Sequence, residues 1–464
     1  MTVETTTTGV AGTIDRGRIK ELTDREMAKL AERTPNSRQR YERAVKVMPG
    51  GVPSSFQENN PWPVYIEGGV GSQVDDVDGN TYTDFHNGFG VMCIGHANPT
   101  VSEAVKARID RGTHFAAPTD GSIIVAEELV KRFRLPQWRF TNSGTESTMD
   151  AVHLARGATG RDVILKIEGS YHGHHDAVMV SVYPDLEALG ERDDPRSVVE
   201  GEGYPKAITD LTRAVPFNDA DALESVLAKL EGQVAGLIME PAMMNINIVP
   251  PVEGYLEQVR ELCTQHGVKL IFDEVKTGAT IGYGGATQRF GVQADMITLA
   301  KAVCGGYPGG AIGMNAEIAE LVSSGRVHQY GTFNGNPLVM AAAQATLTEV
   351  LVDDAYDKLE ATNDKLKAAC AEVIERYGLP AYTQGMGAKG CVIFSSEPLR
   401  EYRDYLTKVD AELATLGWLY HMNHGIFMTP GVEEEWTLSV AHSDTDVERY
   451  LAAFETFARD VTGG

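Results

Sequence analysis

Apolar residues recur along this chain with two different spacings, and the alternation between them predicts the architecture. From Ile19 to Met48 the sequence is charged and helical, and it stops at Pro49-Gly50-Gly51. Short strand-like pieces follow, Val64-Tyr65-Ile66 and Gln73-Val74-Asp75-Asp76-Val77, with Asp78-Gly79-Asn80 as a turn between strands. From about Asn98, helical spacing (Val101 to Arg111, Ile123 to Phe133) alternates with the apolar runs Val163-Ile164-Leu165, Ala177-Val178-Met179-Val180 and Ala235-Gly236-Leu237-Ile238-Met239. Two further runs, Leu270-Ile271-Phe272 and Met296-Ile297-Thr298-Leu299-Ala300, read as buried strands. The helix expected from Val252 to His266 puts Leu256, Val259, Leu262 and Cys263 on one face. Such alternation predicts an α/β fold with a mostly parallel sheet covered by helices on both faces.

After Asn336 a long helical region runs to about Tyr377. Strand-like runs at 391–394, 426–428 and 436–440 and a last helix from about Thr445 to Val461 then predict a small C-terminal α/β domain. The organisation expected is a disordered tail (1–18), an N-terminal segment packing on the C-terminal domain (19–97), a large domain (98–338) and a small C-terminal domain (339–464). The acidic Gly/Pro-containing stretch 183–210 reads as a lid or a disordered loop.

Composition narrows the function classes. The 464 residues are long enough for two or three domains sharing a large core, and a net charge of -24 argues against a nucleic-acid partner. No run approaches the ~20 apolar residues needed to span a bilayer. Met1 to Thr13 has neither a basic start nor an apolar core, so it is not read as a signal peptide. Five scattered cysteines without CxxC spacing suggest a reducing compartment. Together these features predict a cytoplasmic protein with no membrane partner and no metal.

Chemistry concentrates at strand ends. Lys301 follows the run 296–300 and precedes the glycine-rich turn Gly305-Gly306-Tyr307-Pro308-Gly309-Gly310. Apolar crowding would lower its pKa and make it a nucleophilic amine. Asp273 closes another apolar run. A lysine to hold an aldehyde and a carboxylate to pair a ring nitrogen are what a pyridoxal phosphate (PLP) site requires. Ser143, Gly144 and Thr145 stand where a helix begins, and free amides and hydroxyls there can cradle a phosphate, though Ser and Thr also favour that place as plain caps. Tyr171-His172-Gly173-His174-His175-Asp176 offers ligands for zinc or nickel. It equally offers Tyr171 as a flat ring to stack on a pyridine, and no further metal ligand is evident. A dinucleotide-binding oxidoreductase is disfavoured, because the glycine turn at 305–310 is not GxGxxG and opens no helix near the N-terminus.

In order, Asn142-Ser143-Gly144-Thr145-Glu146, Gly169-Ser170-Tyr171-His172-Gly173, Glu240-Pro241, Phe272-Asp273-Glu274-Val275-Lys276-Thr277-Gly278, Lys301 and Gly331-Thr332-Phe333-Asn334-Gly335-Asn336-Pro337 resemble the class III aminotransferases, and within them the glutamate-1-semialdehyde 2,1-aminomutase branch. The resemblance runs from about Arg38 to the C-terminus. It implies a fold type I PLP-dependent transferase, with 98–338 as the PLP-binding domain, and a homodimer with shared active sites. It implies that Lys301 forms the Schiff base and shuttles a proton, and that Asp273 holds the pyridine nitrogen protonated. Tyr171, with His172 beside it, and Val275 would pack the two ring faces. Ser143, Gly144 and Thr145 would hold the phosphate, joined by Gly331 and Thr332 from the partner subunit. Asn245 would sit near the ring hydroxyl, supported by Glu240.

The substrate half departs from the branch. Its pattern near Ser54 places an arginine for the substrate carboxylate where this chain has Gln57, and a neutral amide cannot replace a bidentate guanidinium. Phe89 replaces a frequent tryptophan, Lys276 replaces an apolar residue, and Glu434 falls at the branch's acidic C-terminal position. The expectation is therefore an aminotransferase passing an amino group between an amino acid or amine and a keto acid, with Lys276 either supplying the charge that Gln57 lacks or standing as a solvated lysine. The alternative is the aminomutase itself.

Overall fold

The computed structural model describes residues 14–192, 194–431 and 435–463. Its centre is a seven-stranded sheet, numbered here in chain order: β1 (Gln137–Thr141), β2 (Val163–Ile167), β3 (Thr212–Val215), β4 (Val234–Met239), β5 (Lys269–Asp273), β6 (Met296–Leu299) and β7 (Gly310–Met314). The spatial order is β1-β7-β6-β5-β4-β2-β3. β7 runs antiparallel to both neighbours, and the other pairings are parallel. The reversal follows from the short link 300–309 between β6 and β7, since a parallel return needs a crossover of about a dozen residues or more.

Both faces of the sheet are covered, which is why its central strands are apolar without alternation. Alternate residues still go to opposite sides. Ile164, Ile238 and Ile271 meet Ala151, Val152 and Leu154 of the helix Gly144–Thr159, whereas Leu165, Leu237 and Leu270 join the core shared with Leu256 and Val259 of the helix Tyr255–Gln265.

The N-terminal strands Ile66–Val70, Gln73–Asp76 and Thr81–Asp84 form a second sheet, closed by the C-terminal strand Ile426–Phe427 lying parallel to Thr81–Asp84. The first helix, Arg16–Arg33, is tied to the same C-terminal region by Arg16–Asp410 (2.7 Å) and Arg25–Asp460 (3.0 Å). A three-stranded sheet, Tyr382–Met386, Lys389–Ile393 and Glu435–Thr437, completes that region.

Several expectations are corrected. The first helix starts at Arg16, inside the tail expected for 1–18, while Met1 to Thr13 lie outside the described residues. The 19–48 helix is two, because Pro35 opens a second helix, Pro35–Ala44, at its first turn. Ala177–Val180 is not a strand but a buried loop with one bridge, Val180 to Val199, and Thr212–Val215 takes the sheet edge instead. The long helical region after Asn336 breaks at Leu351 into Pro337–Ala345, a wide turn at Thr346–Val350, and Asp353–Tyr377.

The stretch 183–210 carries short elements at Leu186–Ala188, Gly190–Glu191, Asp194–Pro195 and Lys206–Thr209. It is fastened where Tyr402 Oη donates to the Pro184 carbonyl (3.0 Å) and Arg403 to the Gly190 carbonyl (2.8 Å), with Leu189 fully buried. Among the described residues no helix is long and apolar enough to cross a membrane.

Candidate active site

The parallel strands deliver their chemistry to one edge, where such sheets open a crevice beyond their carboxyl ends. Asp273 is the last residue of β5, Glu240 follows β4, Lys301 comes two residues after β6, and Ser143 comes two after β1. They line one cavity of about 410 Å³, together with Gly144, Thr145, Tyr171, His172, Asn245, Val275 and Lys276.

Lys301 adopts a left-handed backbone (φ +50°) at the start of the short turn Lys301–Cys304. A non-glycine residue there is strained, and such strain persists where the surroundings impose it, commonly at functional sites. Burial, and the nearby Lys276 ammonium, lower its amine to about 8, outweighing the opposite pull of Asp273 and Glu240. Three donors converge on the Asp273 carboxylate: His172 Nδ1 at 2.7 Å, the Val275 amide at 3.1 Å and Thr298 Oγ1 at 3.1 Å. Burial holds His172 below the ordinary histidine range against the pull of Asp273, so the imidazole is a neutral donor. Its Nε2 meets Ser170 Oγ at 2.9 Å, which fixes the ring.

Burial pushes the Glu240 carboxyl up to about 8, with Lys276 opposing and Asp273 and Glu435 reinforcing. It is therefore largely protonated at neutral pH, and its Oε2 accepts from Asn245 Nδ2 at 2.9 Å.

The helix Gly144–Thr159 starts with a reciprocal cap. Ser143 Oγ accepts from the Glu146 amide (3.2 Å), and Glu146 Oε2 accepts from the Asn142 amide (2.8 Å). Helix starts present unpaired amides, here those of Gly144 and Thr145, and the helix dipole adds partial positive charge. A Cβ on Gly173 (φ +93°) would fall 2.6 Å from Thr145 Oγ1, so the 169–173 loop lies hard against this helix start. A Cβ on Gly144 would meet both Val275 methyls at 3.1 Å.

Lys276 reaches the cavity, but its ammonium is engaged, bonding Glu435 Oε1 at 2.6 Å and the Met244 carbonyl at 2.5 Å. Lys389 holds the other oxygen of Glu435 at 3.1 Å. Burial favours a protonated Glu435, but the two lysines outweigh it and hold its pKa low. The acidic partner of both lysines is Glu435; Glu434, expected at the branch's acidic C-terminal position, lies outside the described residues.

Other expected residues are elsewhere. Gln57 and Phe89 line an adjoining cavity of about 570 Å³, and Ser54 is exposed and borders neither space. Gly331 and Thr332 border a third cavity of about 700 Å³ with Phe115 and Ile123. The three histidines do not converge on a point. His172 faces Asp273, His174 Nδ1 lies 3.4 Å from Thr145 Oγ1, and His175 Nε2 lies 3.3 Å from Thr148 Oγ1. Among the described residues no group of three or more His, Cys, Asp or Glu could hold a metal ion. Sequence reasoning missed Phe56, Lys389 and Glu435. Only the buried ion pairs reveal the last two, and an isolated lysine in a strand gives no signal of its own.

The family description "Aminotransferase class-III" matches residues 55–419. Over 420 residues the chain is 39% identical to a glutamate-1-semialdehyde 2,1-aminomutase from Geotalea daltonii, covering 89% of this chain and 96% of that protein. A crystal structure of a glutamate-1-semialdehyde-aminomutase from Pseudomonas aeruginosa PAO1 superposes with a TM-score of 0.89 at 30% identity, covering 97% of this chain and 100% of that one. A variant of that protein was solved in complex with PMP. An omega-transaminase from Sphaerobacter thermophilus superposes with a TM-score of 0.87 at 33% identity, over 92% of this chain and 97% of that one.

Proposed function

The chain belongs to the class III aminotransferase family, and from that premise we propose that it moves an amino group with PLP bound at Lys301. The observation that carries this reading is the single cavity joining an amine lowered to about 8, the triply bonded Asp273 carboxylate and the open helix start at 144–145. That donor set fits the cofactor. Lys301 would hold its aldehyde, Asp273 its ring nitrogen, Ser143, Gly144 and Thr145 its phosphate, Tyr171 and Val275 its ring faces, and Asn245 with Glu240 its hydroxyl. When bound, the cofactor supplies an electron sink that acidifies the substrate's Cα–H.

The chain's own residues do the rest. Lys301, part of its population unprotonated at neutral pH, can take the Cα proton and return it on the same face. His172 keeps Asp273 oriented, and Ser170 keeps His172 oriented. Protonated Glu240 can donate a hydrogen bond into the cavity without adding a charge. The second phosphate contact, from Gly331 and Thr332, would come from a partner subunit in a homodimer.

Two fates of the amino group remain. The relatives' names weigh for the intramolecular reaction of an aminomutase, and they support it more strongly than they support transfer between molecules. The wall facing the substrate weighs the other way. Gln57 replaces the arginine that the branch uses for the substrate carboxylate and borders an apolar space, and Lys276, which lines the cavity with Lys301, is already engaged by Glu435. Identity of 39% is compatible with a kept cofactor wall and a changed substrate wall, so intermolecular transfer is the reading the geometry favours. Adding single amino donors to the PLP-loaded protein, with no keto acid present, decides it. Conversion of the cofactor to its amine form by a simple donor supports transfer. Turnover of glutamate-1-semialdehyde, with no simple donor converting, establishes the aminomutase.

A further inference from the structure

Beside the cavity that holds Lys301 lies the second one, of about 570 Å³, walled by Met48, Val52, Val64, Trp418, Met422 and Met428. Phe56 borders both spaces. Its ring stands edge-on to Tyr171 at 5.5 Å and tilted against Phe89 at 5.9 Å, and Phe89 in turn meets His86 at 4.3 Å. An aromatic path therefore leads from the expected cofactor ring into the recess, and the half-exposed Phe56 is the partition between the two.

Among the described residues, no Asp, Glu, Lys or Arg borders this recess, although the neighbouring cavity is rich in them. A charged group moved into such surroundings without a partner would be strongly disfavoured. One polar atom stands out there. His86 Nε2 is buried and has no hydrogen-bond partner among the described residues. Burial lowers this imidazole to about 4, so it is neutral and can exchange one hydrogen bond with an uncharged group. A buried polar atom left unpaired is costly, and in a site it marks where a ligand atom can be placed.

We propose that this recess receives the substituent of the amino substrate, and that the substituent is uncharged and mainly apolar, aromatic or branched aliphatic, with room for one hydrogen-bonding atom at His86. The occupant is the substrate itself rather than a polypeptide, because the recess lies directly beside the space that holds Lys301, with one half-exposed side chain, Phe56, lining both. The inference rests on the amino-group-transfer reading above. It adds a substrate class, one that a small dicarboxylate or its semialdehyde does not meet.

The test uses PLP-loaded full-length protein and racemic alanine, leucine, phenylalanine and glutamate as single donors, followed by the cofactor's conversion to its amine form. The expected result is that phenylalanine or leucine reacts at least about tenfold faster per unit concentration than alanine or glutamate, the discrimination that a few apolar contacts provide. Val64→Trp, which narrows the recess from a half-buried position, should remove that preference, slowing phenylalanine and leucine far more than alanine. Gln57→Arg, on the exposed rim, should raise glutamate relative to phenylalanine. A wild-type preference for glutamate or alanine, or an equal loss for all donors in Val64→Trp, overturns the proposal.

A second readout does not need turnover. Titration with 3-phenylpropanoate should quench tryptophan fluorescence, and the quench should be lost in Trp418→Phe. If no donor converts, the enzyme reading fails, and the titration still decides the recess: saturable quenching dependent on Trp418 supports it, and none overturns it.

Discussion

At the level of single residues, reactivity depends on the charge states of Lys301 and Lys276, which share one cavity, and of Glu435, which holds Lys276. Lys301 is lowered to about 8 chiefly by burial and next by Lys276, whereas a lysine in water titrates near ~10.4. The unprotonated amine is the nucleophile, so the rate of PLP uptake by apoprotein should rise with pH to a plateau, with a midpoint near about 8. Removing the neighbouring cation stabilises the protonated amine, so Lys276→Met should move that midpoint upward; stopped-flow absorbance across a pH series reads both. Glu435 keeps Lys389 in that variant, whereas Lys276→Glu would set two carboxylates together in a buried place and cost stability on the order of 3–5 kcal/mol. Lys301 and Asp273 were legible in the sequence because each closes an apolar run, and because the order of motifs around them resembles a known family. Glu435 was not. Nothing in the sequence marks it as the partner of two lysines, and only its 2.6 Å and 3.1 Å bonds to Lys276 and Lys389 reveal that role.

Among elements, two local devices shape the helix start proposed to hold the phosphate. The helix Gly144–Thr159 is capped by Ser143 and Glu146, and the loop after β2 is pressed against its first turn at Gly173. Gly173→Ala should therefore displace Thr145, both because φ +93° disfavours a side chain and because the new Cβ would fall 2.6 Å from Thr145 Oγ1. PLP affinity, titrated by absorbance on the apoprotein, should weaken by about tenfold or more, with the thermal transition of the apoprotein lowered far less than in a core variant. The strands β4, β5 and β6 were readable because burial on both faces leaves an unbroken apolar run. The same rule misled at Ala177–Val180, which is equally apolar and, apart from the half-buried Met179, buried, but lies in a loop with one bridge. Strand β3, Thr-Arg-Ala-Val, carries an arginine and a threonine at the sheet edge and gave no such run. The antiparallel β7 is glycine-containing and short, and only its ten-residue link from β6 explains its direction.

For the whole molecule, the cavity that holds Lys301 lacks Gly331 and Thr332, and the surface around those residues is unusually apolar. Tyr330 is 82% exposed, Phe333 57% and Ile123 57%. Scattered apolar residues are ordinary on a surface, but a cluster of this kind marks an interaction face. A second copy of the chain, contributing its own 331–332 turn, would both cover the face and complete the phosphate cradle. The proposed dimer predicts that Phe333→Asp together with Tyr330→Asp sediments as a monomer and binds PLP more loosely. A monomeric variant retaining full PLP affinity would separate the two roles. If Lys301, and no other amine, carries the cofactor, then reducing the PLP-loaded protein with borohydride, digesting it and locating the phosphopyridoxyl group by mass should find the label on Lys301 alone and none in Lys301→Ala. A label on Lys276 or Lys166, or one that survives that substitution, would overturn the assignment.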